Sequence, residues 1–247
     1  MKNAVVTGAG SGIGRACAQA LLKQGWQVAL LGRRAEALQE TAAGFGAAAW
    51  VQPCDVSNEV QVQAAFAALR ERWGRLDLLF NNAGGGLGAR LPDEVSGSEW
   101  RAVVDVNLNG AFYCLREAFA LMRAQRPQGG RIINNGSLAA YVPRPQTIAY
   151  AATKSAISGL TRAAALDGRV YSIAVGQLDI GNAATPLTIG LANGPGALQP
   201  DGTRRPEPQL DLDSVAQTFL AMAELPLSAN VLFSTVMATQ MPFVGRG

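Results

Sequence analysis

Short apolar runs alternate with longer amphipathic segments along the chain, and this alternation limits the folds open to it. The runs typical of strands are Ala4–Thr7, Gln27–Leu31, Ala47–Gln52, Leu76–Asn81, Arg131–Asn135, Val170–Val175 and Val231–Met237. The segments typical of helices are Ile13–Lys23, Ala35–Ala43, Val60–Arg72, Ser98–Ala124, Ala151–Leu166 and Leu212–Ala223. Apolar strands separated by helices form βαβ units, whose parallel sheet is covered on both faces. The pattern therefore predicts an α/β fold, namely a doubly wound, mostly parallel seven-stranded sheet with helices on both faces.

The composition favours one globular domain over residues 1–247. Apolar residues make up 49% of the chain and charged residues 16%, which is enough apolar material for a sizeable core. The formal net charge of +3 is too small and too scattered to favour nucleic-acid binding. No apolar run reaches the roughly 18 residues of a membrane span. Because a strand-like run begins at Asn3, no signal peptide is expected. These features predict a cytoplasmic protein.

The chain contains no histidine, which narrows its chemistry. A Ser/His/Asp or Cys/His nucleophilic site and a His-ligated metal are both excluded within this chain. The cysteines Cys17, Cys54 and Cys114 lie far apart without metal-ligand spacing, so we interpret them as reduced core thiols and expect no metal. An acid–base group would have to be a tyrosine, a lysine or a carboxylate.

A glycine-rich turn, Thr7–Gly14, directly follows the first strand and precedes the first helix. Glycines at this point let the backbone approach a pyrophosphate, and the helix N-terminus offers free N–H groups. A plain turn is the alternative, but the position at the start of a βαβ chain favours a dinucleotide. The residues expected to contact it are Gly8, Ser11, Gly12, Ile13 and Gly14.

Two arginines, Arg33 and Arg34, follow the second strand, where the adenosine ribose of a dinucleotide would lie. Guanidinium groups suit a 2′-phosphate, so NADP is favoured over NAD, although the arginines can also simply solvate a helix start. After the third strand, Asp55 and Val56 are placed to contact the adenine, or Asp55 belongs to a helix cap. After the fourth strand, the run from Asn81 to Gly86 suits a closely approaching ligand, through Asn82, Ala83 and Gly84.

Tyr150 and Lys154 lie four residues apart at the start of a predicted helix, so the two side chains share a face. A nearby ammonium favours the ionised form of a phenol, which suits a tyrosine to exchange protons. The alternative is an amphipathic surface pair without a chemical role.

These motifs together resemble the short-chain dehydrogenase/reductase (SDR) family over essentially the whole chain. The matching residues are Thr7–Gly14 (TGxxxGIG), Asn81–Gly84 (NNAG), Asn107, Ser137 and Tyr150–Lys154 (YxxxK). The resemblance implies a single Rossmann-type domain and a catalytic tetrad. Tyr150 would be the acid/base, Lys154 would hold the ribose hydroxyls and act on Tyr150 electrostatically, Ser137 would hydrogen-bond the substrate oxygen, and Asn107 would organise a proton relay.

The chain departs from the usual family pattern after the predicted sixth strand. Many members have Pro-Gly there, whereas this chain has Val175–Asn182 without proline. In the family the backbone of an apolar residue in this stretch anchors the nicotinamide carboxamide, a role that falls here on Ile180. Either Asn182 or Thr185 takes the part of the usual threonine.

The segment 185–209 is rich in Gly, Pro and Ala and is expected to form a lid over the substrate, with a disordered surface loop as the alternative. The end of the chain, from Met241 to Gly247, is expected to be an exposed apolar tail beside an edge strand. Such surfaces usually find a partner, and the family commonly forms dimers or tetramers. A homodimer or homotetramer is therefore predicted.

The leading functional interpretation is an NADP-dependent oxidoreductase that interconverts a ketone or aldehyde and an alcohol, with a small-molecule substrate. An alternative is a non-catalytic NADP-binding protein with a regulatory or redox-sensing role, motivated by the altered stretch Val175–Asn182. A third interpretation is an isomerase, epimerase or dehydratase acting on a nucleotide sugar, but such relatives tend to be longer.

Overall fold

The fold was obtained as a computed structural model, which describes residues 1–186, 188–190 and 194–244. Its strands are β1 (Asn3–Thr7), β2 (Gln27–Gly32), β3 (Ala49–Pro53), β4 (Leu78–Asn81), β5 (Gly130–Asn135), β6 (Ile173–Ile180), β7 (Ala197–Leu198), β8 (Arg204–Arg205) and β9 (Phe233–Val236). Its helices are α1 (Gly12–Lys23), α2 (Ala35–Ala42), α3 (Glu59–Trp73), α4 (Gly97–Val104), α5 (Gly110–Ala124), α6 (Ile148–Gly168) and α7 (Leu212–Ala223).

Seven of these strands form one sheet in the order β3-β2-β1-β4-β5-β6-β9, and every registered pair in it is parallel. The predicted seven-stranded sheet is thereby confirmed. The strand order reverses between β1 and β4, and in open α/β sheets ligands bind at the carboxyl ends of the strands beside such a reversal. The remaining strands, β7 and β8, form a separate antiparallel pair.

The core lies in two layers because successive side chains of a strand point to opposite faces of the sheet. In β1, Ala4 and Val6 belong to the layer that includes residues of α1 and α7, such as Phe219. Val5 belongs to the layer of α3, α5 and α6, with residues such as Phe66. Helices therefore cover both faces of the sheet. The side of the sheet at which the strands have their carboxyl ends remains free to form a site.

The sixth strand differs from its prediction. It was expected at Val170–Val175, but it runs over Ile173–Ile180, and the preceding residues Arg169–Tyr171 form a short 3₁₀ turn. Gln177 and Asp179 make the sequence look like a polar loop at this point. Both side chains are buried in the strand and hydrogen-bonded to other buried groups, which removes the usual cost of burying polar groups.

The long helix predicted at Ser98–Ala124 is interrupted. The residues Asp105–Asn109 form a π-helical turn between α4 and α5. Single π turns inside helices occur frequently at functional sites. This turn contains Asn107, whose side chain is buried.

The three cysteines are free and buried, as predicted for core thiols. Burial, reinforced by the charge of Asp55, raises the pKa of the Cys54 thiol to about 11. Over the described ranges, no helix is both long and apolar enough to cross a membrane, and no three Cys, Asp or Glu side chains cluster in a way that would hold a metal ion.

Candidate active site

Two cavities open at the carboxyl edge of the sheet and meet at one side chain. The first, here called the cleft, has a volume of about 550 Å³ and lies beside the glycine-rich turn. The second, here called the side cavity, has a volume of about 250 Å³. Among the described residues only Tyr150 lines both. A group bound in the cleft and a molecule bound in the side cavity would therefore meet at Tyr150.

The cleft brings together nearly all the residues that the sequence predicts to hold a dinucleotide. Those lining it are Gly8, Ser11, Gly12, Ile13, Gly14, Arg33, Arg34, Asp55, Val56, Asn82, Ala83, Gly84, Tyr150 and Lys154. They come from the ends of β1 to β4 and from α6, which are far apart in sequence. The exception is Ile180, which lines the side cavity.

The glycine-rich turn has the form that a closely bound phosphate requires. Gly8 and Gly12 have φ values of +66° and +50°, in the left-handed region that favours glycine. Ser11 precedes α1 without capping it through its side chain, so the first N–H groups of that helix have no side-chain acceptor. Free N–H groups at a helix N-terminus bind anions, and the turn thus fits the pyrophosphate of a dinucleotide.

We expect the substitution Gly14→Ala to weaken dinucleotide binding. A Cβ atom there would lie 2.2 Å from the carbonyl oxygen of Gly8 and 2.6 Å from Nδ2 of Asn82, so the turn would have to move. Overpacking of this kind costs about 1–3 kcal/mol, which corresponds to a loss of affinity of about 5- to 150-fold. Fluorescence titration with NADPH measures it.

A matched control for this substitution is Gly159→Ala on the exposed face of α6. A Cβ atom at Gly159 meets nothing within 4 Å, and the helix should gain about 0.5–1 kcal/mol of stability. Equal NADPH affinity of Gly14→Ala and the parent protein would contradict the assigned role of the turn.

Arg33 and Arg34 lie exposed at the end of β2 and line the cleft. Neither makes an ion pair with any residue in the described part of the chain. Arg34 is also the residue that precedes α2, and its side chain does not cap that helix. Both guanidinium groups therefore remain available to an anionic ligand in the cleft.

Asp55 does not cap the next helix. The cap of α3 is Asn58, whose side chain accepts a hydrogen bond from the N–H of Gln61 at 3.1 Å. The Asp55 carboxylate instead accepts from the N–H and the hydroxyl of Ser57, at 3.0 and 2.7 Å. It lines the cleft beside Val56.

Tyr150 and Lys154 lie on the first two turns of α6, which begins at Ile148, earlier than the sequence predicts. The Lys154 ammonium is buried and lies 5.7 Å from the centre of the Tyr150 ring. It donates a hydrogen bond of 2.7 Å to the carbonyl oxygen of Asn135, at the end of β5. A buried ammonium beside a cavity-lining phenol differs from the surface pair that is the alternative interpretation.

Asn107 joins the π turn to the loop after β4. Its side chain accepts from the N–H of Gly85 and donates to the carbonyl oxygen of Gly85, both at 2.8 Å. Its amide also donates to the hydroxyl of Thr153 at 3.1 Å, next to Lys154 on α6. Asn107 thus links the loop after β4 to the helix that bears Tyr150 and Lys154.

Ser137 lines the side cavity and is held by a buried aspartate that the sequence-based prediction missed. The Asp179 carboxylate accepts from the N–H of Ser137 at 3.0 Å, from Gln177 at 2.7 Å and from the hydroxyl of Tyr141 at 3.0 Å. Burial raises the pKa of Asp179, while these three donors favour its ionised form. The signal in the sequence is an aspartate within the apolar run Ile173–Ile180.

The residues after β6 divide between the two cavities. Thr185 lines the cleft, where its Cγ2 would lie 3.1 Å from a Cβ atom at Gly12. Asn182 is buried and lines the side cavity with Ile180. Of the two candidates that the sequence leaves open, Thr185 is therefore the one beside the cleft.

The apolar tail is not wholly exposed, contrary to the prediction. Met241 is buried, and its sulfur accepts a hydrogen bond from the N–H of Asn182 at 3.4 Å. Phe243 lines the side cavity. Val244 is 90% exposed, and residues 245–247 lie outside the described residues. The tail thus contributes to a wall of the side cavity.

The comparisons with known proteins agree with this arrangement. A family model described as short chain dehydrogenase matches residues 2–195. A 3beta-hydroxysteroid dehydrogenase of Mediterraneibacter gnavus is 40% identical over 190 residues, covering 74% of this chain and 67% of the relative. An L-fucose dehydrogenase of Oryctolagus cuniculus is 37% identical over 203 residues, covering 81% of this chain and 68% of the relative.

Solved structures show the same likeness in three dimensions. A 3-ketoacyl-(acyl-carrier-protein) reductase from Brucella melitensis complexed with NADH has a TM-score of 0.85 at 27% identity, covering 97% of this chain and 98% of that protein. A serine dehydrogenase in a closed form complexed with NADP⁺ has a TM-score of 0.86 at 27% identity, covering 98% and 97%.

A doubly wound parallel sheet with a glycine-rich turn at its strand ends defines a nucleotide-binding α/β protein. More narrowly, the chain belongs to the short-chain dehydrogenase family. It is an NAD(P)-dependent oxidoreductase that interconverts a carbonyl group and an alcohol by hydride transfer. The comparisons give no support to the non-catalytic alternative.

Proposed function

We propose that Tyr150 is the acid/base of this reaction and exchanges a proton with the substrate oxygen. The observation that supports this most strongly is its position as the described residue shared by the cleft and the side cavity. A dinucleotide bound in the cleft supplies or accepts the hydride. Tyr150 would then lie beside the substrate oxygen that gains or loses the proton.

The other tetrad residues have complementary roles in this proposal. Lys154, buried next to Tyr150, supplies a positive charge beside the phenol and holds the ribose hydroxyls. Ser137 hydrogen-bonds the substrate oxygen from the wall of the side cavity. Asn107 holds the loop after β4 against α6 through its hydrogen bonds to Gly85 and Thr153, and so organises a proton relay toward Lys154.

NADP is the proposed cofactor in preference to NAD. The support is that Arg33 and Arg34 line the cleft at the end of β2, where a 2′-phosphate would lie, and that neither guanidinium group forms an ion pair with another described residue. The structural neighbours include both an NADH complex and an NADP⁺ complex, so the preference rests on these two residues.

The proposal also includes one domain over residues 1–247 and a substrate lid at 185–209. Supporting the lid, Ala183 pairs with Leu210 in an isolated bridge that brings its two ends together, and Thr188 lines the side cavity. Residues 187 and 191–193 of the lid lie outside the described residues. We also propose that the protein is a homodimer or homotetramer and that it is cytoplasmic. Both proposals are based on the family resemblance and the sequence pattern.

The substrate is proposed to be a small ketone or aldehyde, or the corresponding alcohol, with an apolar body. Apolar residues such as Leu138, Val142, Ile148 and Phe243 line the side cavity where such a body would lie. By their names, relatives of this chain act on a 3β-hydroxysteroid and on L-fucose, both of which have secondary alcohol or hemiacetal groups.

A panel of ketones and aldehydes tests this function with NADPH as the reductant. We expect the absorbance of reduced nicotinamide to fall with at least one member of the panel, and to fall faster with NADPH than with NADH. Tight NADPH binding without turnover of any compound, in either direction, would contradict it and favour a regulatory role.

A further inference from the structure

One arginine in the wall of the side cavity has no part in the tetrad. Arg144 lies in the loop between Ser137 and α6 and lines the side cavity. Its Nη2 donates to Oδ1 of Asn182 and to Oε2 of Glu207, each at 2.5 Å. Glu207 is 2% exposed and Asn182 3% exposed, so two buried groups fix the guanidinium.

The Nε donor of Arg144 is buried and has no hydrogen-bond partner among the described residues. Most buried polar atoms in proteins have a partner, and an unpaired buried donor is destabilising. An arginine side chain has five N–H donors and no acceptor. The Arg144 side chain is 23% exposed, so donors of the guanidinium that Asn182 and Glu207 do not use can meet an acceptor inside the cavity that it lines.

Arg144 and Glu207 together present no net charge to the side cavity. Although burial opposes ionisation, hydrogen bonds from Arg144, Asn182 and Gln199 hold the pKa of Glu207 below its usual value. The carboxylate therefore remains ionised and compensates the guanidinium. A substrate carboxylate that contacts Arg144 would lose its hydration without meeting an uncompensated positive charge there, which is unfavourable. The other arginine that lines the side cavity, Arg90, is exposed, so solvent screens its charge.

We propose that Arg144 is a specificity-determining residue, selecting carbonyl substrates that have a second, uncharged oxygen acceptor. A hydroxyl or a second carbonyl group would accept a hydrogen bond from Arg144 while the reacting carbonyl lies at Tyr150 and Ser137. The inference rests on the proposed function, since it uses the side cavity as the substrate site.

Matched substrates of equal chain length test this inference. One series has a single ketone, a second has a ketone and a hydroxyl or carbonyl group moved along the chain one carbon at a time, and a third consists of keto acids. We expect the best member of the second series to exceed the monoketone in kcat/KM by about tenfold or more, because a site built to bond an oxygen disfavours the analogue without it.

Two variants separate recognition from folding. Arg144→Met combined with Glu207→Gln removes the guanidinium without leaving a buried carboxylate unpaired. This double variant should lower the kcat/KM of the second series to that of the monoketone. Glu207→Gln alone leaves the guanidinium uncompensated and should move the preference toward the keto acids. Arg101→Met, at an exposed position on α4, is the control and should keep the parent ratios.

The outcomes distinguish this inference from the proposed function. Turnover of the monoketone and the second series at equal kcat/KM by the parent protein overturns the inference and leaves the proposed function standing. A parent preference for the keto acids, or an unchanged substrate ratio in the double variant, also overturns it. No turnover of any ketone overturns the proposed function and the inference with it.

Discussion

Replacing Tyr150 by Phe should lower kcat by about 10²- to 10⁴-fold, the range expected for loss of a general acid/base. The phenol oxygen is the only atom removed, so the ring keeps its contacts in the wall of both cavities. Dinucleotide affinity should change little, because the cleft retains its glycine-rich turn and its arginines. Steady-state kinetics with NADPH, together with a fluorescence titration of NADPH binding, measure the two effects separately.

Tyr113→Phe on α5 is the matched control, since Tyr113 lines neither cavity among the described residues. Its ring lies against Arg116 and should keep that contact without the hydroxyl. The control should have the parent kcat. A Tyr150→Phe variant with the parent kcat would show that the proton comes from another group.

Replacing both Arg33 and Arg34 by Gln should weaken NADPH binding by about 10- to 100-fold while NADH binding changes little. Hydrogen bonds to charged groups contribute about 1.5–3 kcal/mol each, and the exposure of both arginines reduces that contribution through solvent screening. The ratio of kcat/KM for NADPH to that for NADH measures the effect. The ratio should also fall with rising salt concentration in the parent protein, because exposed charges are screened.

The control for this pair removes two charges elsewhere. Arg70 on α3 and Arg101 on α4 are both exposed and line neither cavity among the described residues. Their double replacement by Gln lowers the net charge equally and should preserve the cofactor ratio. An equal fall in both double variants would assign the effect to overall charge, and no fall in either would contradict the NADP preference.

The fold was predictable because local patterns determine most of it. Apolar runs alternating with amphipathic segments predict the parallel sheet, and α7 begins and ends where the sequence predicts, at Leu212–Ala223. The glycine-rich turn was predictable for the same reason, since its function depends on backbone shape over a few consecutive residues. Gly14 is required by a carbonyl oxygen only six residues earlier.

Features that depend on distant contacts were not predictable. The strand Ile173–Ile180 includes Gln177 and Asp179, whose burial is possible only because Thr161, Ser158 and Ser137 provide partners. The π turn at Asn107 depends on Gly85, which lies on another loop, and spacing alone predicts a continuous helix there.

The side cavity was the least predictable part of the site. Arg144 and Glu207 are 63 residues apart in sequence and meet only in the folded chain. The tail residue Phe243 reaches the same cavity from the end of the chain. The walls of the side cavity therefore come from segments whose positions no local pattern determines.

The division of the site into two cavities is tested most directly by a crystal structure of Tyr150→Phe with NADP⁺ and a ketone. We expect electron density for the dinucleotide in the cleft, along the glycine-rich turn, and for the ketone in the side cavity. The ketone oxygen should lie within hydrogen-bonding distance of Ser137 and beside the Phe ring. Density for the ketone elsewhere, or a nicotinamide ring remote from position 150, would contradict the account.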